Sequence, residues 1–353
     1  MKNVRASAPA KVILFGEHFV VYGKRALATA IDRRLTVEVT AREKSGYHIT
    51  IENIPTFGLE LDLEARKGAE QTIRPYKDFS SAAQALSYVT GAIEYLEKRY
   101  GIGDEGVNVA ITSGIPLSAG LGSSAATCVA TVAALTEYFG VRSDLERIRT
   151  DAHAVELLVQ GAASPTDTAI ATHGGYVLVE QGTVQHLQLP ALKLLVGCVS
   201  SIPLSMDTAK AVDLSLKTKA LVAEVRARKE LFPSIFEAIC NAADELTMEA
   251  IRAIEADDTV KLGTLLTINH GLLDAIGVVP RRLSNLVKVA QSLGALGAKV
   301  TGAGSSDELG GIGSVVVLPG RNEAKIRAAM ELEGALALPV RTGGEGLKIE
   351  TSD

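Results

Sequence analysis

Apolar and polar positions recur along this chain with two periods. Residues 35–40 (LTVEVT) alternate with period two and residues 11–15 form an apolar run, so the first 40 residues predict short strands. Over 80–99 the apolar positions Leu86, Val89, Ile93 and Leu96 fall three and four apart and predict a helix. A strand is expected over 106–111 (GVNVAI), then a glycine-rich turn and an Ala-rich helix over 123–138. Another helix is expected over 145–159, with strands over 174–179 and 184–189.

The second half is richer in helical period. Residues 192–199 (LKLLVGCV) read as a strand, followed by helices near 206–228, 233–255, 258–275 and 280–294. Strands over 298–301 and 314–318 flank a glycine-rich loop, and a helix near 322–333 and a strand near 346–350 follow. Strands and helices mix without strict βαβ alternation, which points to the α+β class. The length allows two domains, expected at 1–188 and 189–353.

Composition narrows the function. A net charge of −5 gives no basic surplus, which argues against a dedicated nucleic-acid binder. No run of apolar residues is long enough to span a membrane, and the first apolar run carries Lys11, Glu17 and His18, unlike a secretory leader. Cys128, Cys198 and Cys240 lie far apart without CxxC spacing, so buried thiols in a reducing cytoplasm are expected rather than a zinc or redox centre.

Four segments carry candidate chemistry. The turn from Pro116 through Leu117, Ser118, Ala119, Gly120, Leu121, Gly122, Ser123, Ser124 and Ala125 joins a predicted strand to a helix. Its glycines allow close backbone approach, and free N–H groups at the helix start suit an anion. It lacks the GxxxxGK[ST] phosphate loop. Gly120 to Ala125 fits GxGxx[GA], but a helix follows where a dinucleotide fold needs a second strand ending in an acid. Taken alone, the segment also reads as a plain helix-start turn. Lys11 opens an apolar strand that ends in Gly16, Glu17 and His18, either a ligand-binding strand end or a surface turn. Glu156 lies on a predicted helix that Gly161 ends. Ser164, Pro165 and Asp167 then mark a helix start, where Asp167 reads as a capping acid or as a carboxylate that orients or deprotonates an alcohol. The last segment runs from Gly297 through Gly302-Ala303-Gly304 to Gly313, a tight loop between two strands that reads as a cradle for substrate or phosphate or as a plain connection.

Together, PAKVILFGEHFVVYG, PLSAGLGSSAA, QGAASPTDTAIATHGG and NHGLLDAIG resemble the GHMP kinases, and within them the archaeal mevalonate kinases, in order and spacing along nearly the whole chain. The resemblance implies an N-terminal domain like ribosomal protein S5, a ferredoxin-like C-terminal domain, and a site between them. It implies ATP-dependent phosphorylation of mevalonate in isoprenoid biosynthesis, with Mg²⁺ as cofactor and often a homodimer. It matches Asp167 to the catalytic Asp and Lys11 to the Lys that steadies the transferred group. Glu156 and the Ser123 or Ser124 hydroxyl match the metal ligands, and Gly120 to Ala125 match the donors to the ATP phosphates. Glu17, His18, Gly302, Ala303 and, within SMDTAK, Thr208 match the substrate side, with Lys210 the single basic residue beside it.

One departure stands out. Where the family continues with glycines and a Cys, this chain has Ser305, Ser306, Asp307, Glu308 and Leu309 before Gly310. Carboxylates there would repel a triphosphate unless they point outward or meet the cation. Other readings are a kinase of the same fold for phosphomevalonate, homoserine or a sugar, a ligand sensor without turnover, and a nicotinamide-dependent dehydrogenase.

Overall fold

The computed structural model describes residues 2–54, 57–63, 80–103, 105–116, 119–161, 163–199, 214–308 and 310–352. Ser118, Thr208 and Lys210 lie outside the described residues, as do Leu309 and the first part of the helix expected over 206–228.

The first half builds a large sheet covered by helices. Its elements are β1 (Asn3–Phe15), β2 (Ala26–Arg42), β3 (Gly46–Ile54), β4 (Phe57–Leu63), α1 (Ser80–Tyr100), β5 (Gly106–Ser113), α2 (Ser123–Tyr138), α3 (Leu145–Gln160), α4 (Pro165–His173), β6 (Tyr176–Glu180) and β7 (Thr183–Leu187). The strands run in the order β12-β1-β2-β5-β3-β4, where β12 (Lys348–Ser352) comes from the far end of the chain. β2 forks: its second half pairs with β5, and its start pairs with β6, which pairs in turn with β7.

The alternation over 35–40 does what its period requires. Leu35, Val37 and Val39 are buried, with the polar residues between them on the other face. The strands expected to be short are long, however: β1 has 13 residues and β2 has 17. Pro9 breaks the apolar pattern of β1, and the structure absorbs it as a register shift between Pro9 and Ala10 rather than as a strand end. α2 is buried on nearly every side from Ala125 to Leu135. Its alanines let β1, β2, α1 and α3 all approach it closely, as expected for a helix that is apolar all round.

The second half contains β8 (Lys193–Val199), α5 (Leu214–Leu231), α6 (Pro233–Glu255), α7 (Thr259–Ala275), α8 (Arg281–Ser292), β9 (Gly297–Thr301), β10 (Gly313–Leu318), α9 (Glu323–Leu332) and β11 (Leu336–Arg341). Its sheet is antiparallel in the order β11-β8-β10-β9. Helices link the first to the second strand of this unit and the third to the fourth, which is the expected ferredoxin-like arrangement. α8 and α9 cover one face around Leu195, Leu286, Val315 and Met330. The other face, with Val196 and Val316, merges with the core of the first sheet and with α6 and α7.

The division expected at 188/189 falls in the link between β7 and β8. It fails for the last residues: β12 pairs antiparallel with β1, from Asn3 with Ser352 to Ser7 with Lys348, so 348–352 complete the first sheet. Two side chains on β9 help sew the halves together. Thr301 Oγ1 donates to the Ile13 carbonyl at 2.7 Å and accepts from the Ile13 N–H at 3.1 Å. Lys299 on β9, fully buried, forms an ion pair with Glu17.

Candidate active site

Five elements converge on one place: the end of β1, the start of α2, the C-terminal half of α3, the first turn of α4 and the loop between β9 and β10. Gly120 and Gly122 both have φ of +73°, which bends the chain so that Gly122 caps α2. Ala119, Leu121 and Ala125 turn their side chains into the core and Pro116 is buried, so the solvent edge of the turn is made of Gly120, Gly122, Ser123 and Ser124. The first N–H groups of α2 have no partner inside the helix, and the helix dipole adds partial positive charge there. Such an edge has the chemistry of an anion cradle.

Lys11 is locked against the cradle. Its N–H donates to the Leu121 carbonyl at 2.9 Å, and a Cβ on Gly122 would lie 2.7 Å from Lys11 Cγ. Lys11 Nζ then lies 3.2 Å from Asp167 Oδ1. Asp167 sits in the first turn of α4, after Pro165 at the first helical position, and its N–H donates to the Ser164 carbonyl. Both sequence readings placed Asp167 at a helix start, and the structure turns its carboxylate to Lys11.

Glu156 lies on α3, the helix before, and is only 3% exposed. Ser124 Oγ donates to its Oε1 at 2.8 Å, whereas its Oε2 is buried with no hydrogen-bond partner. Burial, and then the Asp167 carboxylate, push the Glu156 carboxyl up to about 7, against the pull of Ser124, Lys11 and Gln160. A buried carboxylate with one uncommitted oxygen, a hydroxyl bound to its other oxygen and a second carboxylate close by is a donor set that suits a hard divalent cation. Between the two candidate serines, Ser124 is the one in contact with Glu156. Ser123 gives its carbonyl to the Thr127 hydroxyl.

On the far side, His18 holds the β9–β10 loop. Its Nε2 donates to the Ala303 carbonyl at 2.7 Å, and its own φ is +61°. Burial pulls the His18 imidazole below its ordinary value. Gly302 packs under the phosphate turn, where a Cβ would come within 3.2 Å of the Gly120 carbonyl, and Ser314 Oγ donates to the Ala119 carbonyl at 2.6 Å.

Glu17 was expected on the substrate side, and the structure puts it behind the site. It is 1% exposed, paired with Lys299, and accepts from Asn269 Nδ2 at 3.4 Å. A carboxylate sealed against a buried ammonium positions the loop that carries His18. The departure at 305–309 is also settled in part. Asp307 Oδ1 accepts from the Arg281 N–H and Oδ2 from Arg281 Nε, both at 2.9 Å, so this acid is engaged by the first residue of α8. Two groups that sequence reading passed over complete the surroundings. Lys299 gave only a lone Lys in an apolar strand, and Gln160 gave only its place four residues after Glu156.

Comparison with known proteins identifies the family. Residues 87–175 match the GHMP kinases N terminal domain, and residues 250–306 match the GHMP kinases C terminal domain. The chain is 40% identical to the mevalonate kinase of Thermococcus sibiricus, over 99% of this chain and 98% of that one. It is 36% identical to the mevalonate kinase of Methanothermobacter thermautotrophicus, over 94% and 99%. The crystal structure of the Methanococcus jannaschii mevalonate kinase superposes with a TM-score of 0.75 at 26% identity, covering 96% of this chain and 98% of that one. This chain therefore belongs to the GHMP kinase superfamily and, within it, to the archaeal mevalonate kinases.

Proposed function

We propose that this enzyme transfers the γ-phosphoryl group of ATP to the primary hydroxyl of mevalonate, giving 5-phosphomevalonate and ADP. The observation that carries the reading is the Lys11–Asp167 pair, 3.2 Å apart and set between the phosphate cradle and the His18–Ala303 side. Phosphoryl transfer asks a protein mainly for positioning and charge neutralisation. The α2 N-terminus and the Gly120–Gly122 backbone hold the phosphates. Asp167 accepts the hydroxyl proton as the oxygen attacks phosphorus and the bond to the β-phosphate breaks. Lys11 favours the alkoxide character of that oxygen and stabilises charge on the moving phosphoryl group. Glu156 and Ser124 are the residues that would hold Mg²⁺, which when bound neutralises phosphate charge. His18, Gly302 and Ala303 form the substrate wall, with Glu17 behind it.

The test is ATP turnover with Mg²⁺ against mevalonate, phosphomevalonate, homoserine and galactose, with Asp167→Ala as control. Turnover of mevalonate alone, lost in the control, is the expected result. Turnover of a different alcohol overturns the substrate, and binding of ATP with no turnover of any overturns the enzyme reading.

A further inference from the structure

Three helices meet behind the Glu156–Ser124 pair. α1 brings Tyr88, α2 brings Ser124, and α3 brings Glu156 and, one turn later, Gln160. Tyr88 is 3% exposed, and its phenol oxygen accepts from Gln160 Nε2 at 2.5 Å. The same amide reaches Glu156 Oε1 at 3.4 Å, beside the Ser124 hydroxyl that donates to that oxygen at 2.8 Å. The donors converge on one place: Ser124 gives to Glu156, and Gln160 bridges Glu156 and Tyr88, so the phenol holds the amide that holds the carboxylate.

This chain of hydrogen bonds makes Glu156 lopsided. Oε1 takes two donors, while Oε2 is buried and takes none. A buried carboxylate oxygen left unpaired is destabilising unless another group completes it. Saturating one oxygen fixes which carboxylate lone pairs remain for a ligand. Outer groups of this kind orient metal-binding side chains.

We propose that Tyr88 and Gln160 are positioning residues of the divalent-cation site, holding Glu156 by Oε1 so that Oε2 stays open to the cation. The inference rests on the phosphotransferase reading above. Neither residue touches a reacting atom.

Mn²⁺ serves as the probe, its free signal followed by electron paramagnetic resonance as the full-length protein is titrated with a non-hydrolysable ATP analogue present. Tyr88→Phe keeps the buried ring and deletes the hydroxyl. Gln160→Leu deletes the amide at a half-exposed position and carries the test if the first variant folds poorly. Tyr95→Phe is the control: it lies on the same helix and loses a hydroxyl bonded to buried Asp151 Oδ1 at 2.9 Å. The expected result is an Mn²⁺ Kd raised about 10–100-fold in Tyr88→Phe and Gln160→Leu. Turnover of both should recover at high Mg²⁺, and the control should bind Mn²⁺ like the wild type. Wild-type Mn²⁺ affinity in both variants, with affinity lost in Glu156→Gln, overturns the inference alone. Wild-type affinity in Glu156→Gln too overturns the cation assignment itself and the inference with it.

Discussion

Lys11 Nζ lies 3.2 Å from Asp167 Oδ1, although one residue stands on β1 and the other on α4. The pair is partly buried, at 9% and 26% side-chain exposure, so its charges are weakly screened and available to a reacting oxygen between them. Lys11→Met should keep the apolar stem against Gly122 and lose the charge. A kcat fall of about 10²–10³-fold with little change in binding of an ATP analogue is expected. Steady-state kinetics beside an equilibrium titration measure both. An unchanged kcat would remove Lys11 from the chemistry.

Gly122 is the hinge of the phosphate turn. Gly122→Ala meets a φ of +73° and a Cβ 2.7 Å from Lys11 Cγ. The strain should lower stability by about 1–2 kcal/mol and displace Lys11. Urea denaturation should show the first effect, and a raised KM for ATP with a reduced kcat the second. A kinetically silent variant with only lowered stability would confine Gly122 to a folding role.

Lys299 and Glu17 are a buried ion pair, and removing one partner strands the other. Lys299→Met should cost roughly 3–5 kcal/mol. Lys299→Met with Glu17→Leu should recover much of that loss and still turn over poorly, because His18 loses its support. Denaturation midpoints of the single and double variants decide it, and equal losses in both would show that charge is not the cause.

His270 supplies a pH dependence. It is half-buried on α7 with an unpartnered Nδ1, and the groups acting on it are Lys299 and Lys288, which oppose its protonation, and Asp274, which favours it. Burial first, then Lys299, pull its imidazole down to about 4 from 6.5. Between these values the unfolded chain binds the proton and the folded one does not. Stability is therefore full above about pH 6.5 and falls as the pH drops toward 4. The loss should be about 1–2 kcal/mol, less than the full shift supplies, because the ring is partly screened. His270→Asn should flatten that part of the stability profile, and a profile parallel to the wild type would assign the acid sensitivity elsewhere.

Asp307, in the altered loop, is engaged by Arg281 at the start of α8. Asp307→Ala should lower the melting temperature slightly and leave the KM for ATP unchanged. A lowered KM would mean that the carboxylate repels the triphosphate after all.

The parts of this fold written in short-range pattern were legible in the sequence. α6 is an example: its apolar period and Pro233 at the first helical position fix both its phase and its start. β11 was not read, because Pro339 interrupts its run. The structure puts that strand at the edge of its sheet, where a missing N–H is tolerated. β3 and β4 were also passed over, since their pairing partners give no local signal. At the site, Lys11, Glu156 and Asp167 could be placed by their motifs. The duty of Glu17 could not, because it depends on Lys299, which only the packed fold brings to it.

The pairing of Asn3 with Ser352 sets a condition on how the molecule is made. Until β12 arrives, one edge of β1 presents bare N–H and C=O groups along the strand that carries Lys11, a template on which another chain could add. Closing so large a loop is slow compared with forming α6 or α7. The interval before the two ends meet is thus when this protein is most exposed to aggregation, and the last strand acts as the guard of the first.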